Sequence, residues 1–380
     1  MANQILRMTK HQKHTNLVKK NNGIHATNEV AILGSNCGNI SQLVHAVSEK
    51  ITEFKLAYFD ASHAKDVAEN RISEFTFHHE GNLEVTTTGP VNKYQQRLDF
   101  AQHDFVFING NHYRGVRQVL ILDPAKEASV LKRLDQLDNI QFVVQLTNES
   151  KYFDFLVEKY PNIKELPSYD FEDIDAISNH FRTLIEREIP SIKGLVLTGG
   201  KSTRMGTDKS ELYYYNKPQK NVAKQLLENN GITTYFSVQQ SSNHENEIHD
   251  TFLNLGPFGG ICSAFQQDPN SAWFVLATDV PFVDNNLVKE LLSKRNPSKV
   301  ATAIKGKGKE FVEPLITIYE PKAYPILLQY LAQGYSCPRK MLINSEVEIV
   351  EVDDGFIRNV NTPEEYESAL NEIRENTKII

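Results

Sequence analysis

The chain has 380 residues, 40% hydrophobic and 23% charged, with a formal net charge of −7. That length favours two domains over one core. The negative balance argues against nucleic acid as a partner, and no apolar run of membrane-spanning length occurs. Cys37, Cys262 and Cys337 stand far apart without metal-knuckle spacing, and the opening residues have no apolar signal core; a reduced, cytoplasmic protein is expected.

Strands and helices are predicted to alternate through both halves, the pattern of α/β folds with largely parallel sheets. Predicted strands of the first half are EVAILG (29–34), KLAYFD (55–60), DFVFING (104–110), RQVLILD (117–123) and IQFVVQL (140–146). Several are unbroken apolar runs, as expected of strands covered on both faces. Between the second and third, SEFTFHHEGNLEVTTTGP reads as a hairpin turning at Gly81-Asn82. Helices are predicted over EASVLKRLDQL, YFDFLVEKY and 169–187, the last broken by Pro190. The domain boundary is therefore placed at 188/189, giving domains 1–188 and 189–380.

In the second half, IKGLVL (192–197), TTYFSVQQ (233–240) and WFVLATD (273–279) read as strands. NVAKQLLENN and NNLVKELLSKR carry the apolar spacing of helices, and KVATAIKGKGKEFVEPLITIYE reads as two strands joined by a Lys-Gly turn.

The first of those strands runs into LTGGKSTRMGTDK (197–209). After Leu197, Gly199 and Gly200 let the backbone pass close to a ligand, with N–H groups free to face phosphate oxygens. Ser202 adds a hydroxyl, Arg204 a planar fork and Lys209 a point charge. The spacing is neither that of a Walker loop nor GxGxxG.

This run resembles the signature of the molybdenum cofactor guanylyltransferases, the MobA family, with Thr198 in place of an alanine. The resemblance continues in order to the end of the sequence. LGPFGGI (255–261) resembles a segment whose glycines, here Gly256 and Gly260, border the nucleotide; Asp250 upstream is the counterpart of an acid facing the guanine edge. ATDVPFV (277–283) places Asp279 at the end of a strand, where one carboxylate suffices for Mg²⁺. IRNVNTPEEY (357–366) supplies Asn359 and Asn361 for the acceptor, Asn361 also for the metal, while Thr362 and Glu365 form a helix-capping box. Glu313 before Pro314 departs from the family pattern on the acceptor side.

The resemblance implies a Rossmann-like nucleotidyltransferase fold with a mainly parallel sheet. It also implies Mg²⁺-dependent transfer of GMP from GTP to the phosphate of molybdopterin or Mo-molybdopterin, with release of pyrophosphate. Arg204, Lys209 and Asp279 would be catalytic. Leu197, Gly199, Gly200, Ser202, Lys209, Asp250, Gly256 and Gly260 would hold the nucleotide. Molybdoenzymes or cofactor-insertion proteins are the implied protein partners. Cytidylyl transfer, sugar-1-phosphate nucleotidyl transfer and a non-catalytic cofactor-binding adaptor remain alternatives.

In the first half, ILGSNCGNISQLVHAV (32–47) stands where a P-loop would, but Asn39 replaces the lysine and Ile40 the hydroxyl residue. The layout, with DASHAKD (60–66) and FVFINGNHYRG (105–115), resembles the MobB adaptor. A degenerate P-loop-like α/β domain is expected, with Asp60, His63, Asn109 and His112 its most interesting polar groups. Ten of the twelve histidines fall in this half without a metal-binding spacing.

Overall fold

The computed structural model describes residues 17–62, 72–79, 81–87, 92–198, 209–239 and 244–377. The chain divides into two compact units: Asn21–Ile189, and Pro190–Ile380 together with the segment up to Lys20. Residues 17–20 of that segment are described. Its Lys19 carbonyl accepts a hydrogen bond from Asn270 Nδ2 at 3.2 Å.

The first unit runs β1 (Glu29–Leu33), α1 (Cys37–Lys50), β2 (Leu56–Phe59), β3 (Glu74–Phe77), β4 (Leu83–Thr86), α2 (Lys93–Phe100), β5 (Phe105–Asn109), β6 (Gln118–Leu122), α3 (Glu127–Leu131), β7 (Ile140–Gln145), α4 (Asp154–Lys159), β8 (Ser168–Asp170) and α5 (Ile174–Glu186). Six strands form a sheet in the order β2-β5-β1-β6-β7-β8, every neighbouring pair parallel. The hairpin β3–β4 stands apart from it.

Strands β1, β5 and β6 are buried throughout because helices cover both faces. Successive side chains point to opposite faces. Val30 and Ile32 pack with Leu43, Val47 and Phe181 of α1 and α5, whereas Leu33 packs with Val130 and Leu156 of α3 and α4. The Glu29 carboxylate is fully buried, yet it accepts from the amides of Ile24, His25 and Ala26 at 2.8–2.9 Å and of Val116 at 3.2 Å. It thereby pins two loops to the start of the central strand.

One sequence expectation is corrected here. The predicted helix over 169–187 begins only at Ile174, where Asp173 caps it by accepting from the Ala176 amide at 3.1 Å. Tyr169 and Asp170 belong instead to β8, an edge strand too short to display a period.

The second unit runs β9 (Ile192–Leu197), β10 (Tyr213–Tyr214), β11 (Lys217–Pro218), α6 (Gln219–Glu228), β12 (Thr234–Val238), β13 (Glu247–His249), α7 (Pro257–Gln267), β14 (Ala272–Ala277), α8 (Asn285–Ser293), β15 (Ala301–Gly306), β16 (Glu313–Tyr319), α9 (Ala323–Ala332), α10 (Pro338–Ile343), β17 (Val347–Val352) and α11 (Pro363–Thr377). Its seven-stranded sheet has the order β13-β12-β9-β14-β16-β15-β17. Only β16 runs against its neighbours; β13, β12, β9 and β14 are mutually parallel. Helix α7 contributes Phe258, Ile261 and Phe265 to one face of the sheet, while Leu287, Val288 and Leu291 of α8 pack on the other.

The register fixes where function can sit. Leu197 is level with Ser237 and with Ala277, and Val238 is level with His249. The carboxyl ends of β9, β12, β13 and β14 therefore line up along one edge, where open α/β sheets bind ligands.

Candidate active site

Leu197 ends β9, almost fully buried, and its carbonyl accepts from Thr278 Oγ1 at 3.3 Å. Thr198 then donates its hydroxyl to the Ser237 carbonyl at 2.6 Å. The residue that departs from the family signature thus ties β9 to β12 just before the loop. Gly199, Gly200, Ser202 and Arg204 lie outside the described residues, as does the rest of the loop through Asp208.

Lys209 opens a single turn that leads into the β10–β11 hairpin. Tyr215 and Asn216 make that hairpin's two-residue turn, with φ of 51° and 59°. Both central residues at positive φ mark the tight turn whose twist suits adjoining strands. Tyr215 also donates its hydroxyl to the Pro281 carbonyl at 3.2 Å, fastening the hairpin to the segment after β14.

Three residues far apart in sequence meet beside this turn. Lys209 Nζ donates to Asn361 Oδ1 at 2.6 Å and lies 3.7 Å from Asp279 Oδ2. The Val360 amide donates to the Asp279 carbonyl at 2.8 Å, so the carboxy-terminal segment is stitched to the end of β14. Asn361 is held in turn by Glu365, whose Oε2 accepts from the Asn361 amide at 2.6 Å and the Thr362 amide at 3.1 Å. Thr362 Oγ1 accepts from the Glu365 amide at 3.3 Å, which completes the capping box of α11.

A small core underlies this arrangement. Tyr214, Val360, Ala369 and Ile373 are buried together, with Tyr366 edge-on to Tyr214 at 5.2 Å. Tyr366 also donates its hydroxyl to the Tyr213 carbonyl at 3.1 Å. The turn after the loop and the last helix therefore form one packed body, and Lys209 and Asn361 ride on its two halves.

Burial pushes the Asp279 carboxyl above its ordinary pKa, and the Lys209 charge only partly offsets this. The side chain keeps 27% of its surface accessible, enough to meet a ligand. Asp250, just beyond β13, is also raised by burial, with its Ser237 hydrogen bond opposing. Ser237 Oγ donates to Asp250 Oδ1 at 2.8 Å.

Gly256 precedes α7 with φ 56°, a conformation that favours glycine, and a Cβ there would meet nothing within 4 Å. Gly260 is demanded by space: its Cβ would lie 2.6 Å from Ser237 Oγ and 3.1 Å from Leu197 Cδ2. The first turn of α7 is thus pressed against the ends of β9 and β12, with its leading amides at the same edge.

The structure accordingly gathers Lys209, Asp279 and Asn361 into one cluster, and sets Leu197, Asp250, Gly256 and Gly260 around the ends of β9 and β12. Asn359 is exposed and makes no side-chain hydrogen bond among the described residues. Glu313 starts β16, whose antiparallel pairing returns it to this edge, and Arg339 faces its carboxylate at 3.3 Å. Sequence reasoning missed Ser237, Arg339 and the β10–β11 hairpin. A Tyr-Asn turn lacks the glycine that usually signals such a hairpin, and the two cross-sheet partners have no motif of their own.

Residues 194–348 match the model of the MobA-like NTP transferase domain. A molybdenum cofactor biosynthesis bifunctional protein of Synechocystis is 32% identical over 180 residues, covering 46% of this chain and 52% of the relative. The chain thus spans about half the length of that relative. A probable molybdenum cofactor guanylyltransferase of Flavobacterium johnsoniae is 26% identical over 179 residues, 45% of this chain and 92% of that protein. The crystal structure of molybdopterin-guanine dinucleotide biosynthesis protein A from Archaeoglobus fulgidus is 24% identical, covering 48% of this chain and 99% of its own, with a TM-score of 0.41. The second unit of this chain is therefore similar, over residues 194–348, to MobA-like NTP transferase domains.

Proposed function

We propose that the second unit transfers GMP from GTP to the terminal phosphate of molybdopterin, with or without its metal, and releases pyrophosphate. The observation that carries this reading is the meeting of Lys209, Asp279 and Asn361 at the carboxyl edge of a sheet whose domain matches MobA-like transferases. A phosphate acceptor is already anionic, so the reaction needs charge cancellation and alignment more than a strong base.

The donors present suit Mg²⁺. Asp279 offers a partly accessible carboxylate and Asn361 an amide oxygen on the other side of Lys209, both hard oxygen ligands. Among the described residues there is no group of three or more His, Cys, Asp or Glu that could form an all-protein cage. Mg²⁺ commonly takes only one or two carboxylates and completes its shell with water and phosphate. Bound there, the ion would neutralise charge that develops on the transferring phosphate.

The chain's own groups do the rest. Lys209, fixed by Asn361, presents a positive charge to phosphate oxygens, and Arg204 joins it in stabilising the departing pyrophosphate. The leading amides of α7 and the Asp250–Ser237 pair receive the nucleotide, with Asp250 accepting from the guanine edge. Asn359, exposed beside the cluster, addresses the acceptor.

Pyrophosphate release, measured with purified molybdopterin and Mg²⁺ and with GTP, ATP, CTP or UTP, tests the proposal. Release that needs both GTP and the pterin supports it. Release with CTP instead reassigns the base, and no release from folded protein leaves the domain a cofactor-binding adaptor.

A further inference from the structure

The first unit brings a thiol, an imidazole and a carboxylate together at the carboxyl edge of its own sheet, on three neighbouring strands. Cys37 opens α1 directly after β1, with Asn36 as the cap that accepts from the Asn39 amide at 2.9 Å. His112 follows β5, its amide donating to the Asn109 carbonyl at 3.0 Å. Asp60 follows β2, its carboxylate accepting from Tyr58 Oη at 2.8 Å and the Ala61 amide at 2.7 Å.

The side chains converge. Cys37 Sγ lies 3.3 Å from His112 Nε2, and the same nitrogen lies 3.8 Å from Asp60 Oδ1. Asn111 braces the loop by donating from Nδ2 to the Ser35 carbonyl at 2.9 Å, with Cys37 Sγ at 3.8 Å. Cys37 is half-buried, and Asp60 keeps 28% of its side chain accessible, so the group is open to a small reagent.

A separate observation points into the same space. Asn109 is fully buried, yet its Nδ2 has no acceptor in hydrogen-bond geometry among the described residues. Burial alone would raise the Asp60 carboxyl, but the nearby Asn109 amide, the Ala61 N–H, the Tyr58 hydroxyl and the His112 charge together hold it below its ordinary value. The Asn109 amide thus stands close enough to influence the Asp60 carboxylate but outside hydrogen-bond geometry with it, so a bound group could still use the donor.

We propose that Cys37, His112 and Asp60 form a reactive-thiol site, separate from the transferase chemistry, that exchanges with small disulfides. Cys37 gives its proton to His112 Nε2, which has the Asp60 carboxylate 3.8 Å away. The thiolate attacks one sulfur of the disulfide. The S–S bond breaks and a new bond joins Cys37 to that sulfur. The other half leaves as a thiolate and takes the proton from His112, so one thiol and one disulfide are consumed and one of each is formed. The Asn109 amide lies ready to donate to the bound group.

The chain supplies its own controls, because Cys337 is exposed and Cys262 is buried with its thiol pushed up to about 12. The full chain would be treated with hydroxyethyl disulfide near pH 6.5, and the rate of mass gain followed on the peptide that holds each cysteine. Cys37 is expected to react at least about tenfold faster than Cys337, and Cys262 not at all. His112→Gln should slow Cys37 by about tenfold and flatten its pH profile, with the Cys337 rate unchanged as a sign of intact fold. Equal rates at Cys37 and Cys337 in the unmutated chain, or an unaltered Cys37 rate in His112→Gln, overturn the proposal.

Discussion

Lys209 and Asn361, 152 residues apart in the chain, share a hydrogen bond of 2.6 Å. The ammonium proposed to face phosphate is thus aimed by an amide from the last segment before α11. A bond to a charged group contributes about 1.5–3 kcal/mol. Asn361→Ala is therefore expected to lower GTP-dependent pyrophosphate release by about 10- to 100-fold. Thermal unfolding should shift by no more than the loss of that one bond, since the neighbouring capping box keeps its own partners. Activity equal to that of the unmutated chain would show that Lys209 needs no such support.

Asp279 yields a prediction with two signs. Its carboxyl is raised by burial above the ordinary 3.8, with Lys209 opposing. A carboxyl raised in the folded state contributes stability at low pH that is lost as pH rises through the folded-state value. Asp279→Asn should therefore be more stable than the native chain at neutral pH, and the gap should close as the pH falls below about 3.8. The same change should reduce transfer by at least about 100-fold. Native activity should also fall on acidification through the raised value, as the carboxylate is protonated. Melting curves and initial rates across pH check both signs; a variant less stable than native at neutral pH would contradict the first.

The two glycines beside α7 should fail differently. Gly260→Ala forces a Cβ against Ser237 Oγ at 2.6 Å and Leu197 Cδ2 at 3.1 Å. Such overpacking costs about 1–3 kcal/mol, and it displaces the serine that holds Asp250. Gly256→Ala meets no atom but must hold φ at 56° with ψ at −140°, a nearly glycine-only conformation that costs about 1–3 kcal/mol. Urea unfolding should show both losses. Only Gly260→Ala should also weaken the preference for GTP over other nucleotides.

Glu365→Ala removes the acceptor of the Asn361 and Thr362 amides. A lost cap costs about 0.5–2 kcal/mol, and here it also frees the backbone that carries Asn361. Stability and activity should fall together, activity by less than in Asn361→Ala. A stability loss with unchanged kinetics would confine the capping box to a structural role.

Much of this was legible because the signals are local. Buried strands such as EVAIL and IKGLVL announce themselves as apolar runs, and Thr362, Pro363 and Glu365 spell out a helix start. Asp279 and Asn361 were reached through the family resemblance of ATDVPFV and IRNVNTPEEY. What the sequence withheld is relational. Nothing in it says that Thr198 reaches Ser237, that Glu313 faces Arg339, or that Cys37, Asp60 and His112 converge, because each depends on strand order and register. The three residues of β8 and the glycine-free turn of β10–β11 were hidden for another reason: both are too short or too atypical to carry a period.

The packing of Tyr213 and Tyr214 against α11 also orders events in time. The hydroxyl of Tyr366 meets the Tyr213 carbonyl across 153 residues of chain, a length that takes roughly 8 to 30 s to synthesise at about 5–20 residues per second. The cluster of Lys209, Asp279 and Asn361 is therefore completed last. A ribosome stalled between Val352 and Asn361 holds a chain whose seven sheet strands are all translated but whose closing wall is not.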